Sequence, residues 1–349
     1  MKRILSIDGG GIRGIIPGMV LVALEEKIRQ VTGNPEAHIT DYFDFFAGTS
    51  TGGILLSILL CPDENNAGKQ RFNAQDALDI YIKHGTRIFS ASNWRRFLSR
   101  FGLLSELYDE RILEQVLADY FQDKKLSQLL KPCIITAYNI ELRKNHLFRQ
   151  QKAITHGDSR DFYIRDVCRA TSAAPTYFAV AEIFSCAGTR YPLVDGGVFA
   201  HNPSLSALLE VIKGYNTYKI DDICILSLGT GLSKTAYNYE DFKKKKAISI
   251  GPALVDIMSS SSAESTDYYL KQLFRSVNKS SNYIRIEPKN LSSIDPALDS
   301  ASPSNIQKLI SLGDKMISEH EDILNRIVAE VLQESPDHPN RSVWNFLKG

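Results

Sequence analysis

The 349-residue sequence predicts an α/β fold with a mostly parallel central sheet. Two observations carry that expectation. Short apolar runs with strand character, Ile4 to Ile7, Phe43 to Ala47, Tyr191 to Val194 and Ile223 to Leu228, all end in glycine turns. Within residues 1–61 the order strand, glycine turn, helix occurs twice, which is the alternation that builds parallel sheets.

Taken in order, Ile4 to Ile7 is the first strand and Asp8 to Gly14 (DGGGIRG) a glycine loop at its carboxyl end. Ile16, Val20, Leu24 and Ile28 then recur at helical spacing, with Pro17 in a first turn that needs no N–H from it. Phe43 to Ala47 gives the next strand, a turn follows at Ser50, and Gly52 to Cys61 reads as a helix. Ala74 to Gly85 is a third helix. Trp94, Phe97, Leu98, Phe101 and Leu104 fall on one side of a basic amphipathic segment, which packs on the core or lies on lipid.

Cys133 to Tyr138 and His146 to Arg149 read as strands, and Ile164 to Thr171 as a helix stopped at Pro175. Tyr191 to Val194 and Ile223 to Leu228 complete the strands. Lys243 to Lys246 is a solvated lysine run, and Ser259 to Ser262 reads as a loop leading into a helix. Apolar spacing from Ser304 to Leu332 supports one or two helices, and Glu334 to Ser342 is a linker to a tail with Trp344 and Phe346. Residues 1–332 are thus expected to form one domain and 333–349 a linker and short tail.

With 43% hydrophobic and 23% charged residues, the composition is that of an ordinary globular protein, and a net charge of +1 offers nothing to attract nucleic acid. Cys61, Cys133, Cys168, Cys186 and Cys224 are odd in number and never form CxxC, so free thiols are expected, with neither a disulfide framework nor a zinc site. Met1-Lys2-Arg3 runs straight into a strand, too polar for a signal peptide. The longest apolar run, Ile54 to Cys61, falls short of the roughly twenty residues of a membrane helix. A cytoplasmic protein is expected, with peripheral contact to a membrane left open.

The chemistry centres on Gly48-Thr49-Ser50-Thr51-Gly52. A serine attacks an ester only from a sharp turn, and small residues on either side allow one, as in strand-to-helix nucleophile elbows. Acyl transfer also needs donors for the oxyanion, which Gly9, Gly10 and Gly11 can supply through their backbone, with Arg13 as a possible brace for the loop. The same loop fits GxGxxG at Gly9, Gly11 and Gly14. A dinucleotide site is disfavoured because Asp8 ends the strand and no second strand brings an acid to a ribose. Two bases remain open: Asp195 acting alone at the start of Asp195-Gly196-Gly197, or Asp195 working through a later histidine, His201, His320 or His338.

These residues together resemble the patatins and patatin-like phospholipases. The likeness runs through ILSIDGGGIRGIIP (Ile4 to Pro17), DYFDFFAGTSTGG (Asp41 to Gly53), Ala173-Ala174-Pro175, VDGG (Val194 to Gly197) and SLGTG (Ser227 to Gly231). It extends more loosely to about residue 330. The resemblance implies a patatin-like three-layer α/β/α fold and a lipid acyl hydrolase that acts on membrane glycerolipids without a metal or other cofactor. It implies a Ser-Asp dyad, with Ser50 as nucleophile, Asp195 as base and the Gly9 to Gly11 loop as oxyanion hole. A storage or binding protein on the same fold is the alternative. Some bacterial relatives are effectors switched on by a cyclic nucleotide, so a small-molecule activator is an expectation of the resemblance alone.

Overall fold

The computed structural model describes residues 1–66, 68–90, 108–215, 218–232, 237–244 and 247–333. The amphipathic residues Trp94, Phe97, Leu98, Phe101 and Leu104, and the tail from 334, lie outside them. In chain order the first elements are β1 (Lys2–Ile7), α1 (Ile15–Thr32), β2 (Phe45–Thr49), α2 (Thr51–Leu59), α3 (Ala74–Ile88) and α4 (Glu110–Phe121). β3 (Cys133–Asn139), β4 (Lys144–Arg149), α5 (Gln150–His156), α6 (Ile164–Thr171), β5 (Ala181–Phe184) and β6 (Arg190–Asp195) follow. The rest comprises α7 (Gly197–Ala200), α8 (Ser204–Tyr215), β7 (Ile223–Leu228), α9 (Tyr239–Lys244), α10 (Ala247–Ser276), β8 (Tyr283–Ile286), α11 (Pro303–Glu319) and α12 (Glu321–Gln333).

The eight strands form one sheet in the order β5-β6-β3-β2-β1-β7-β8, with β4 also paired to β3. β3, β2, β1, β7 and β8 run parallel, as expected from the strand-turn-helix pattern. Successive residues of the inner strands go to opposite faces, and both faces are buried. Leu5, Phe46, Leu226 and Leu228 join the larger core with α1, α2 and α3. Ile4, Phe45, Ala47, Ile223 and Ile225 pack on the other side against Ala207, Leu208 and Val211 of α8 and Leu270 and Phe274 of α10. The molecule is therefore a three-layer α/β/α sandwich.

β3 sets the position of the site. One edge of β3 pairs with β4 from Ile134 to Asn139. Its other edge is shared: β2 runs alongside Cys133 to Thr136, and β6 runs antiparallel along Ala137 to Asn139. Thr49, the last residue of β2, stands opposite Thr136, while Asp195, the last residue of β6, stands opposite the next residue, Ala137. Two strands thus point their carboxyl ends at each other along one ruler.

The structure departs from the sequence expectations at two places. β2 begins two residues later than Phe43 because Asp44 is tied to Arg3 before pairing begins, through Asp44 N–H to the Arg3 carbonyl (2.9 Å) and Arg3 N–H to the Asp44 carboxylate (2.8 Å). Phe43 is buried beside Phe46 instead of serving as a strand residue. Ser259 to Ser262 is no loop: it lies inside the 30-residue α10. Serine is a poor helix former, but tertiary contacts override that preference here, with the Ser262 hydroxyl donating to the Phe199 carbonyl (2.9 Å).

Candidate active site

Ser50 sits between β2 and α2 at φ 53°, ψ −121°, a left-sided conformation that costs a non-glycine residue energy and that nucleophile elbows exploit. Its neighbours hold the turn. The Ser50 N–H donates to Thr171 Oγ1 (2.8 Å), whose hydroxyl donates in turn to the Thr136 carbonyl (2.6 Å). Thr49 Oγ1 donates to the Ala200 carbonyl (2.6 Å) and lies 2.7 Å from Thr136 Oγ1. Gly52 is required by close approach, since a methyl there would meet the Ile7 and Asp8 carbonyls of β1 and its loop. Gly48 is likewise enclosed by Leu56 and Gly52, and Thr51 opens α2, its carbonyl accepting from the Tyr81 hydroxyl (3.2 Å).

Asp195 is 5% exposed and Ser50 8%. Ser50 and Asp195 line one cavity, with the Ser50 hydroxyl close enough to the Asp195 carboxyl to favour its charged form, and the Gly197 N–H donates to Asp195 Oδ1 at 2.7 Å. Burial pushes the carboxyl up to about 6, against the nearby Ser50 hydroxyl and the Gly197 N–H, which favour its charged form. Gly196 packs against Thr136, where a side chain would collide.

The glycine loop closes the site from the β1 side. Gly11, at φ 57°, faces the Leu298 carbonyl, and Gly10, at φ 158°, faces Thr230, so neither tolerates a side chain. Among the backbone hydrogen bonds of the described residues, none engages the N–H of Gly10 or Gly11. Gly9 differs from the sequence expectation: its N–H donates to the His201 carbonyl (3.0 Å), so it brings the loop close without offering a free donor. Arg13 is buried behind the loop, with its backbone N–H bonded to the Gly10 carbonyl at 3.1 Å. Its guanidinium has no salt-bridge partner in the described structure and, being buried, is pushed down to about 10.

His201 is more central than its sequence setting suggested. It is buried, it lines the same cavity as Ser50 and Asp195, and its Nε2 has no hydrogen-bond partner. Burial, with help from Arg13 and Arg285, pushes its imidazole down to about 3, so it is uncharged at neutral pH. It is not among the partners of Asp195. His320 Nδ1 faces the Met316 carbonyl at the end of α11, and His338 lies outside the described residues.

The cavity over Ser50 encloses about 810 Å³ of empty space, mouth included. Its far wall is apolar, with Ile54, Ile80, Ile88, Phe89, Leu113 and Phe178. Such side chains suit an alkyl chain. One cluster of potential metal ligands among the described residues, Asp158, Asp161 and Cys186, lies elsewhere, and Asp161 is already bonded to Ser127 and Phe162 backbone N–H groups. All five cysteines are free, and burial pushes the thiols of Cys61 and Cys168 up to about 11 and 12.

A family model described as patatin-like phospholipase matches residues 5–208, which include both Ser50 and Asp195. The chain belongs to the patatin-like phospholipase family. Among relatives, it is 31% identical to Patatin-2-Kuras 3 of Solanum tuberosum over 100% of this chain and 89% of that one. It is 33% identical to Patatin-like protein 2 of Arabidopsis thaliana, covering 91% and 83% of the two chains. It is also 33% identical to a Solanum tuberosum protein named Probable inactive patatin-3-Kuras 1, over 91% and 86%. Against solved structures, VipD from Legionella pneumophila aligns at a TM-score of 0.34 and 12% identity over 90% of this chain and 67% of that one.

Sequence reasoning passed over Thr171, Thr230 and Arg285, which support the patatin-like site without a motif signature of their own. Thr171 lay in a segment read only as a helix end. Thr230 falls inside SLGTG and Arg285 in the stretch of looser likeness after it, yet no role follows from their types.

Proposed function

We propose that the protein is a serine lipid acyl hydrolase of the phospholipase A type, acting on fatty-acyl esters of membrane glycerolipids through a Ser50-Asp195 dyad. The observation that carries the reading is that Ser50, on a strained strand-to-helix turn, and a buried Asp195 line the same largely apolar cavity.

Asp195 accepts the Ser50 hydroxyl proton as Oγ bonds to the ester carbonyl carbon. The oxyanion so formed accepts hydrogen bonds from the unengaged Gly10 and Gly11 N–H groups, with the amino end of α2 adding its dipole. As the intermediate collapses, the carbon–oxygen bond to the glycerol breaks and the leaving oxygen takes the proton from Asp195. Water then attacks the acyl-Ser50 ester, again giving its proton to Asp195, and fatty acid leaves with Ser50 restored. A base with a carboxyl near 6 is charged at neutral pH and still basic enough to take a proton in the transition state. Arg13 braces the loop.

The alternative of a storage or binding protein draws on the name of one potato relative, but Ser50 and Asp195 are both present and line one cavity in this chain. Labelling with a fluorophosphonate and mapping the adduct by mass spectrometry separates the two. An enzyme acquires one adduct, on Ser50, which Ser50→Ala loses; an unlabelled wild-type protein contradicts the proposal. A cyclic-nucleotide activator stays an open proposal from the family likeness, tested by adding such nucleotides to the labelling reaction.

A further inference from the structure

Helix α10 carries a surface that the acyl-hydrolase reading leaves unused. Its inner side faces the site: Val255 and Ser259 line the Ser50 cavity, Ser262 bonds to the Phe199 carbonyl, and Thr266 is buried. Its outer side at the same level is apolar. Leu254, Ile257 and Met258 are 48, 41 and 46% exposed, and with exposed Ser261 they follow the i, i+3, i+4, i+7 spacing of one helical face. From Ala247 to Ala263 the only charged residue is Asp256, and its carboxylate accepts a hydrogen bond from the Tyr237 hydroxyl at 3.0 Å. One charged residue in about four turns is few for a helix with one side open to solvent.

The short helix before it, Tyr239–Lys244, carries aromatic and lysine residues beside Glu240 and Asp241. Tyr239 on α9 is 71% exposed, Lys243 stands over its ring at 5.6 Å, and Lys243 opens the run of four lysines that leads into α10. Aromatic and lysine side chains flanking an apolar stripe match the headgroup level of a bilayer.

We propose that the outward stripe of α10, Leu254, Ile257 and Met258, docks the protein on an anionic lipid bilayer, with exposed Lys243 of α9 meeting the headgroups. The inference rests on the acyl-hydrolase reading for its choice of partner. A helix that lines the acyl cavity on one side and enters lipid on the other places the cavity next to its substrate. Ser50, only 8% exposed, then receives a lipid that moves along the helix and not through water.

The test uses the full chain carrying Leu254→Gln, Ile257→Gln and Met258→Gln together. Glutamine keeps helix propensity and adds no charge. Binding is measured by cosedimentation with phosphatidylcholine vesicles holding 30% phosphatidylglycerol, in a Ser50→Ala background so that no lipid is consumed. The rate on a soluble ester, p-nitrophenyl butyrate, is measured with Ser50 intact. The proposal expects at least about a tenfold loss of vesicle binding and a soluble-ester rate within about twofold of the parent.

Unchanged vesicle binding overturns it. So does a parallel loss on the soluble ester, which assigns the stripe to packing. A parent protein that self-associates through this face, with the variant monomeric and still bound to vesicles, overturns it in favour of a second copy. Equal binding to vesicles of pure phosphatidylcholine overturns the anionic part. Because binding is read without catalysis, a protein that binds vesicles through the stripe but hydrolyses no ester refutes the enzymatic reading and leaves the docking surface standing.

Discussion

Arg285 on β8 closes on both carboxylate oxygens of Asp8, at 2.9 and 2.6 Å, across the intervening β7. The pair is buried, and Arg285 also bonds Ser227 Oγ (2.8 Å) and Glu287 (2.8 Å). Asp8 is the residue before the glycine loop, so the ion pair fixes where that loop leaves the sheet. Removing one partner of a buried pair leaves the other charge without compensation, at a cost of about 3–5 kcal/mol. Arg285→Met is therefore expected to lower stability by about that much in urea unfolding. Asp8→Asn combined with Arg285→Met should cost less than the sum of the two single changes.

Thr171 holds the strained backbone of Ser50 by accepting its N–H. Thr171→Val keeps the shape and removes the acceptor, leaving a buried N–H unpaired at a cost of about 1–3 kcal/mol. Since that N–H belongs to the nucleophile's own residue, the loss is expected to show in kcat more than in KM. Steady-state kinetics on a soluble ester read the split.

Gly11→Ala places a methyl against the Leu298 carbonyl at a backbone angle unsuited to alanine. The loop must shift, and the two unengaged N–H groups of Gly10 and Gly11 shift with it. Losing one oxyanion donor elsewhere costs about 10²–10³ in kcat. A drop of at least that size is expected here, measured on the same soluble ester.

Asp195 gives a pH dependence whose direction follows from its environment. Burial raises its carboxyl from 3.8 to about 6, so kcat/KM is expected to fall as pH drops through about 6 and the base becomes protonated. The same shift acts on stability in the opposite sense. The folded protein holds this proton more tightly than the unfolded chain, so the ionisation penalty is absent below about pH 4 and grows as pH rises to about 6. Its full size is about 3 kcal/mol. Asp195→Asn removes it, so the variant is expected to be more stable than the parent at pH 8 by up to that amount and no different at pH 4, as read from urea midpoints at the two pH values.

The inner sheet was legible because its strands are continuous apolar runs cut off by glycines: β7 matches the sequence reading at both ends, and α6 does so through its stop before Pro175. β5 and β8 are four residues each, too short for periodicity to register. Ser50 and Asp195 were legible as residue types at strand ends. Their facing one another was expected from those strand ends, but the pairing that achieves it, β2 and β6 sharing one edge of β3, is one no local pattern records. The Gly9 N–H could not be judged either, since its acceptor, the His201 carbonyl, is distant in sequence. His201 stood in the sequence only as one of three candidate histidines, and the fold alone puts it in the cavity wall. The serine run Ser259 to Ser262 misled for the same reason in reverse, as helix α10 is held by contacts rather than by propensity.

The central claim is that Ser50 is the nucleophile and Asp195 is needed to activate it. Its most direct measurement is fatty-acid release from phospholipid vesicles by the parent, Ser50→Ala and Asp195→Asn proteins, each shown to be folded by its urea midpoint. The account predicts that both variants lose activity by about 10⁴-fold or more. Release at the parent rate by either variant contradicts it.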